Sequence, residues 1–177
     1  PEINVTAPEI SAPKYKKYDE GSSLRRGYEP HEMPAAQANQ LISQIIETEG
    51  PIHTNEVVRR FTEVHGKSRS GTRIRSKVES CLKSLKRKGV ILTQEKFWGT
   101  SEQFANPQIR NREDESPPLT SPQYLSKEEI LACALLIEKE SGVVGEDELI
   151  RAISRVLGFK RAGPDFQKRV IEILNRR

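Results

Sequence analysis

Basic side chains are concentrated between positions 67 and 88, where nine lysines and arginines accompany a single acid, Glu79. At about 100° per residue along a helix, Arg73, Lys83 and Arg87 share one face with two small serines. Cations on one rigid face bind phosphates and release counterions, which gives a salt-sensitive and largely sequence-neutral affinity for nucleic acid. The candidate nucleic-acid-binding residues are Lys67, Arg69, Arg73, Arg75, Lys77, Lys83 and Arg87.

The same stretch can instead be a solvated basic helix face without a ligand. Lys86, Arg87 and Lys88 complement the negative end of a helix dipole, and they need no DNA to explain them. Asparagine and glutamine, which pair with adenine, are absent from this helix, so we expect little sequence preference if double-stranded DNA binds. In that case Arg73 and Arg75 would lie nearest the bases.

The other reactive side chains do not form a catalytic pattern. His31, His53 and His65 are scattered, and neither a Ser/His/Asp order nor a convincing carboxylate pair is present. Cys81 and Cys133 fall within apolar helical patterns and are interpreted as buried, reduced residues; no short Cys or His spacing fits zinc. We therefore expect a non-enzymatic chain without cofactor, metal or small-molecule substrate.

The helix that carries the basic face belongs to a sequence repeat. Residues 50–85 align without a gap on residues 142–177, at a constant shift of 92. Both copies contain the loop pattern Gly-x-x-Arg-x-Gly, and their apolar positions coincide, which predicts a shared fold. Identical residues fall at Gly50/Gly142, Glu56/Glu148, Arg59/Arg151, Gly66/Gly158, Arg69/Arg161, Gly71/Gly163, Val78/Val170 and Leu82/Leu174.

Three helices are predicted in each copy. In the first copy they span about 35–47, 54–65 and 72–88, with Thr54 as the N-cap of the second helix. Two β-prone pieces, Val90–Thr93 and Phe97–Thr100, then predict a hairpin, and three helices with a hairpin indicate a winged helix. The buried stripe of the third helix is expected at Ile74, Val78, Cys81, Leu82 and Leu85.

The repeated loop connects the second helix to the third. Its first glycine, Gly66 or Gly158, is expected to end the second helix in a left-handed conformation. The central arginine, Arg69 or Arg161, has two interpretations: it caps the carbonyls at the end of the second helix, or it binds a phosphate. In the first copy His65 precedes the loop and is a candidate for capping the same carbonyls.

The predicted fold class is mainly α, with tandem winged-helix-like (helix-turn-helix) modules. Residues 1–34 are interpreted as an extended tail or linker, 35–100 as the first module, 101–124 as a proline-rich linker and 125–177 as the second module. Ser126 and Glu129 are expected to form a capping box, and Pro164 to begin the last helix. The sequence starts at Pro1 and stops before a second hairpin, so we expect it to be part of a longer protein.

The second module differs from the first on its exposed face. The positions equivalent to the basic stripe are Asp165, Lys168, Glu172 and Asn175, where the charges are mixed. This pattern favours packing or protein docking over DNA binding.

Composition adds weak constraints. The chain is 34% hydrophobic and 31% charged, with a formal charge of +4 and a pI near 9.1, so a polyanionic partner is allowed but not required. No apolar run approaches the roughly 18 residues that a membrane span needs, and we expect a cytoplasmic protein without a membrane partner.

The run "GPIHTNEVVRRFTEVHGKSRSGTRIRSKVESCLKSLKRKG" resembles a bacterial family catalogued as domain of unknown function 3320. "DELIRAISRVLGFKR", "FWGT" and "QIRNRED" are similar to later parts of the same family, so the resemblance covers roughly residues 45–177. That family usually lies near the C-terminus of large superfamily-1 helicase-like proteins, which often carry a Vsr-like endonuclease segment. The resemblance implies an accessory module of a DNA-processing enzyme.

Two functions are therefore kept open. The first is a non-catalytic accessory module that binds double-stranded DNA within a larger helicase- or nuclease-type protein. The alternative is a module that docks onto the remaining polypeptide of that parent protein. A contiguous positive face favours the first, and an exposed apolar patch favours the second.

Overall fold

The computed structural model describes residues 9–20 and 29–177. Within this part the chain is mainly helical, with seven α-helices and one small three-stranded sheet. It divides into two compact units. Lys16–Ala105 forms the continuous unit, and Pro1–Tyr15 joins Asn106–Arg177 to form the split unit, of which residues 9–15 and 106–177 are described.

Three helices and an apolar core build the continuous unit. They are α1 (Ala35–Glu49), α2 (Thr54–Val64) and α3 (Thr72–Arg87). The predicted stripe of α3 is buried at all five positions, since its spacing matches the 3.6-residue period of the helix. Helix α1 runs two residues beyond its predicted end, to Glu49, whose side chain is fully buried against α2.

A small antiparallel sheet completes this unit. The predicted hairpin is confirmed as β2 (Leu92–Gln94) and β3 (Phe97–Gly99). A further strand, β1 (Ile52–His53), lies between α1 and α2 and pairs with β3, giving the order β1-β3-β2. With two residues, β1 is too short for its alternation to be recognised in the sequence.

Thr54 was predicted as the N-cap of α2, and this is wrong by one residue. The cap is His53, whose Nδ1 accepts a hydrogen bond from the Asn55 amide at 3.0 Å. The Thr54 hydroxyl instead binds the hairpin: Oγ1 donates to the Lys96 carbonyl at 3.1 Å and accepts from Trp98 Nε1 at 2.8 Å.

A five-residue helix, α4 (Ser101–Ala105), follows the hairpin. Thr100 and Gln103 form a reciprocal capping box at its start, with distances of 2.9 and 3.1 Å. The Gln103 side-chain amide also donates to the carbonyls of Ile46 and Glu47, so α4 satisfies acceptors at the end of α1.

The split unit has its own core around α5 (Lys127–Ser141), α6 (Glu146–Val156) and α7 (Pro164–Leu174). Pro164 begins α7 as predicted. The capping box at α5 is only half present. Ser126 Oγ accepts from the Glu129 amide at 3.2 Å, but the Glu129 carboxylate turns inward because two arginines bind it there.

The repeat is visible in the helix boundaries. Helices α5 and α6 begin and end 92 residues after α1 and α2, and α7 begins 92 residues after α3. Gly66 and Gly158 both adopt positive φ angles, 73° and 79°, as predicted. The copies differ at β1, since the equivalent residues Val144 and Gly145 form no strand.

Residues 101–124 are not the open linker that their polarity and prolines suggested. Residues 101–105 form α4, while Arg110, Arg112 and Leu119 are buried in the split unit. Burial is possible because both arginines bind the carboxylate of Glu129, which offsets part of their charge inside the unit.

The predicted tail at 1–34 is also packed at some of its described residues. Tyr15 is buried in the split unit, where its amide donates to the Asn111 carbonyl at 2.8 Å. Met33 is buried in the continuous unit, next to a short 3₁₀-helix at Pro30–Glu32. The parts of this prediction at 1–8 and 21–28 lie outside the described residues.

Candidate nucleic-acid interface

The exposed face of α3 is the candidate site. Opposite the buried stripe, all five positions of the predicted polar stripe are exposed: Arg73, Ser76, Ser80, Lys83 and Arg87. The amphipathic spacing therefore fixes which side of α3 faces solvent. The small serines leave space between the cations, so a ligand can approach the helix backbone closely.

Three cations on this face have no side-chain partner among the described residues. Arg73, Lys83 and Arg87 make no side-chain ion pair or hydrogen bond with any other described residue. Lys77 lies half-buried on the flank and is likewise unpaired within the described part of the chain. Such groups are free to bind a polyanion without first breaking an internal contact.

Arg75 and Lys67, also predicted site residues, are engaged with neighbours. Arg75 Nη2 donates to Asn55 Oδ1 at 2.6 Å and its Nη1 to Glu79 Oε1 at 3.3 Å, so this arginine links the first turns of α2 and α3. Lys67 Nζ lies 3.4 Å from Glu29 Oε1 in an exposed ion pair. Exposed pairs of this kind are weak and exchange readily for phosphate contacts.

Arg69 does not cap the end of α2, so that interpretation is wrong. The α2 carbonyls are satisfied by the loop backbone, with Gly66 N donating to Glu63 O at 2.9 Å and Lys67 N to Thr62 O at 3.2 Å. His65 does cap as predicted: its Nδ1 donates to the Phe61 carbonyl at 2.7 Å. The Arg69 side chain is exposed and makes no hydrogen bond with the described residues.

Arg161, the equivalent residue in the split unit, behaves in the same way. There the backbone amides of Gly158 and Phe159 donate to carbonyls of α6 at 3.1 and 2.9 Å. Arg161 is exposed and is not hydrogen-bonded within the described residues. The repeated loop thus closes its helix through backbone groups, and its arginine remains available to bind another group.

The hairpin lies next to the C-terminal end of α3 in the chain. Its attachment through Thr54, described above, fixes the β3 side and the turn at residues 95–96. On the other side Val90 and Leu92 are exposed by 45% and 43%. Lys96 at the turn is exposed. The hairpin therefore presents one cation at its tip, and two exposed apolar side chains lie at and just before the start of β2.

The cysteines are buried, as predicted. Burial raises the pKa of the Cys81 thiol, and the charge of Lys77 offsets this only in part. Burial raises the pKa of Cys133 to about 12, with a further contribution from Glu129. Both thiols are therefore protonated near neutral pH and are poor nucleophiles. No three His, Cys, Asp or Glu side chains of the described residues are arranged to hold a metal ion.

Two buried ion clusters were not recognised in the sequence. In the continuous unit, the Arg60 guanidinium, 1% exposed, binds Glu49 at 2.6 Å, Glu63 at 2.7 Å and Glu56 at 3.3 Å. Burial raises the pKa of Glu56, although Arg60 and Arg59 oppose this effect. The cluster joins α1 to α2. Its members carry no local pattern that distinguishes them from surface charges.

The second cluster lies in the split unit. Arg110 and Arg112 both bind the fully buried carboxylate of Glu129, and the Tyr15 ring covers both guanidinium groups, with centroid distances of 4.6 and 5.1 Å. Both arginines belong to the segment interpreted as linker. The cluster ties this segment and the N-terminal segment to α5.

The exposed face of α7 agrees with the sequence analysis. Asp165, Lys168, Glu172 and Asn175 are all exposed, and their charges are mixed. At the positions equivalent to Arg73 and Lys83, the split unit therefore carries Asp165 and Asn175 instead of cations.

A comparison with protein families identifies part of the continuous unit. The model described as Protein of unknown function (DUF3320) matches residues 29–76, which include α1, β1, α2, the loop and the start of α3. No curated protein and no solved structure gives a significant match. The match does not extend to the split unit. Over residues 29–76 the chain is therefore similar to the family of proteins of unknown function DUF3320.

Proposed function

We propose that the continuous unit is a winged-helix module that binds double-stranded DNA through α3. Its elements follow the order α1-β1-α2-α3-β2-β3, and its sheet the order β1-β3-β2. In a winged helix this is the arrangement in which the third helix can enter the major groove and the hairpin acts as the wing. The split unit repeats the three helices, but the exposed face of its last helix carries mixed charges.

The observation that carries the proposal is the set of unengaged cations on one exposed face of α3. Arg73, Lys83 and Arg87 recur at helical spacing over the length of the helix. The one acid of this stretch, Glu79, is held by Arg75 at 3.3 Å, so its charge is partly neutralised. The face therefore attracts a polyanion along its whole length.

The wider role rests on family resemblance. It motivates a non-catalytic accessory function within a larger helicase- or nuclease-type polypeptide, in which this module would hold DNA near the catalytic parts. The DNA-binding proposal does not depend on that parent context.

The test is the salt dependence of DNA binding. A triple variant, Arg73→Ala, Lys83→Ala and Arg87→Ala, removes three candidate phosphate contacts. Each contact contributes roughly 0.9 to the slope of log K against log salt, so the slope should fall by roughly 2.7 in magnitude. Fluorescence anisotropy with a labelled duplex at several salt concentrations measures it.

A matched control removes the same charge elsewhere. Lys139, Lys168 and Arg176 are exposed cations of the split unit, and their replacement by Ala should leave the slope nearly unchanged. Binding that falls equally in both variants would show a general charge effect rather than a site. The proposal would be overturned if the slope were unchanged in the α3 variant, or if the unsubstituted chain bound no duplex at low salt.

Protein docking is the second candidate function, and the exposed Val90 and Leu92 favour it. Leu92 belongs to β2, which is an edge strand, and Val90 lies two residues before it. If this surface docks onto the parent polypeptide, Val90→Ser with Leu92→Ser should weaken binding to that polypeptide without changing the affinity for duplex DNA.

A further inference from the structure

A cleft of about 520 Å³ lies in the split unit, bounded by α6, the loop before α7 and the first turn of α7. Its apolar surface comes from Ile150, Phe159 and Ala162. Ile150 is buried, whereas Phe159 and Ala162 are partly exposed. Polar and charged side chains form the rest of the lining. The cleft thus combines a small apolar floor with a charged rim.

Positive charge prevails at the rim. Arg151 and Arg155 line the cleft, and both bind Glu148, at 3.3 and 2.9 Å. Lys160 and Arg161 also line it, and neither side chain binds any other described residue. Together with Asp147 and the Glu148 carboxylate, the cleft has four cations and two acids. Two cations are therefore available to a ligand.

The loop that carries these cations is fixed at both ends. At its start, Phe159 N donates to Ser154 O at 2.9 Å, and the Phe159 ring packs 5.0 Å from that of Phe166. At its end, the Gln167 side-chain amide donates to the Ala162 carbonyl at 2.7 Å. A preformed cleft lowers the entropic cost of binding.

We propose that this cleft binds a short acidic peptide segment. One apolar side chain of the peptide would pack on Phe159 and Ala162, and flanking carboxylates would pair with Lys160 and Arg161. A guanidinium group binds a carboxylate in a bidentate manner, which makes Arg161 the stronger anchor. None of the residues that line this site belongs to α3, so the peptide proposal does not depend on the DNA-binding proposal.

The surroundings favour a peptide over nucleic acid. Asp147 lies at the rim, and the exposed face of α7 adds Asp165 and Glu172. On the other side of the same loop, Glu113 and Glu115 line a second depression, which Lys160 and Arg161 also line. A phosphate backbone carries charge at every nucleotide and would meet these acids as it left the cleft. A peptide can confine its carboxylates to the two cations.

The experiment uses the full chain and a fluorescein-labelled nine-residue peptide with a central Leu flanked by Asp and Glu. Saturable binding is expected by anisotropy. Lys160→Glu with Arg161→Glu should weaken it by at least about tenfold, as loss of a hot-spot pair does. A control with the same charge change, Lys139→Glu with Lys168→Glu, should bind nearly as the parent chain does.

Two further measurements test the mode of binding. Ala162→Trp fills the cleft without changing its charge and should also weaken the peptide, while a peptide with Gly in place of Leu should bind poorly. Circular dichroism melts confirm that each variant is folded. Equal weakening by both charge variants, no saturable binding, or indifference to Leu would overturn the proposal. It would also fail if single-stranded DNA, rather than the peptide, bound the chain and lost affinity on Lys160→Glu with Arg161→Glu.

Discussion

Replacing Glu129 with Gln should destabilise the split unit severely. The carboxylate is fully buried, and Oε1 accepts from Arg110 Nε at 2.9 Å, from Arg110 Nη2 at 2.7 Å and from Arg112 Nη2 at 3.0 Å. Oε2 accepts from Arg112 Nη1. The side chains of Arg110 and Arg112 are only 5% and 1% exposed. Glutamine has nearly the same shape but no charge, so two buried guanidinium groups would lose the negative charge that both of them bind.

The magnitude follows from this burial. Removing one partner of a buried ion pair costs about 3–5 kcal/mol, because an uncompensated charge remains inside the protein. A domain of this size is stable by only about 5–15 kcal/mol. The substitution should therefore remove a fifth or more of the stability of the split unit, and leave the continuous unit unaffected.

The same carboxylate predicts a pH dependence. Burial alone would raise the pKa of Glu129, but the charges and hydrogen bonds of Arg110 and Arg112 outweigh it and lower the pKa below its ordinary value of 4.5. Its stabilising contribution is complete above the unfolded-state value and is lost as the pH falls towards the folded-state value. The stability of the unmodified split unit should thus fall as the pH drops below about 4.5, and the Gln variant should not show this part of the pH dependence.

Native-state hydrogen exchange is the suitable assay, because two units need not unfold in a single transition. A loss of about 3–5 kcal/mol should reduce protection of the slowest α5 and α6 amides by a factor of about a hundred to several thousand. Glu140→Gln, an exposed change on the same helix, is the control and should have little effect. The reasoning is refuted if protection falls by less than about tenfold, or if α1 and α2 lose as much.

Two further predictions concern packing. Leu82→Ala should lower the stability of the continuous unit by about 2–5 kcal/mol, because transfer energy is lost and a cavity remains. Urea melts followed by Trp98 fluorescence measure this loss. A loss of under about 0.5 kcal/mol would show that Leu82 is not a core residue. Gly158→Ala should lower the stability of the split unit by about 1–3 kcal/mol in the hydrogen-exchange assay. A φ of 79° is strained for Ala, and a Cβ would lie 2.5 and 2.6 Å from the amide nitrogens of residues 113 and 112. The control Gly163→Ala, with no atom within 4 Å, should change little, and equal losses in both would contradict this explanation.

Periodic and local features were predictable from the sequence. The buried and exposed faces of α3 follow from helical spacing, and the shift of 92 anticipates the matching helix boundaries. The left-handed Gly66 and Gly158 follow from the need to end a helix without a Cβ clash. These features depend on residues close together in the chain, so their pattern can be recognised.

Long-range pairing was not predictable. Arg110 and Arg112 stand in a polar, proline-rich stretch, and their partner Glu129 had been assigned to a capping box. A buried charge becomes tolerable only through a partner that folding brings near, and one sequence does not reveal that partner. The Arg69 interpretation failed for a related reason: the loop backbone already satisfied the carbonyls that the arginine was expected to cap.

The division of the split unit in the chain has a consequence for biosynthesis. Residues 9–15 leave the ribosome before their partners, among them Asn111, which follow only after the entire continuous unit has been made. The continuous unit can therefore fold during synthesis while the N-terminal segment waits. The hydrogen bond between Tyr15 and Asn111 then closes a long loop that contains the continuous unit. If that unit is already folded, fewer flexible residues remain in the loop, so closing it costs less entropy. A truncated chain starting at Asn106 would lack Tyr15, and with it the aromatic cover over two buried arginines.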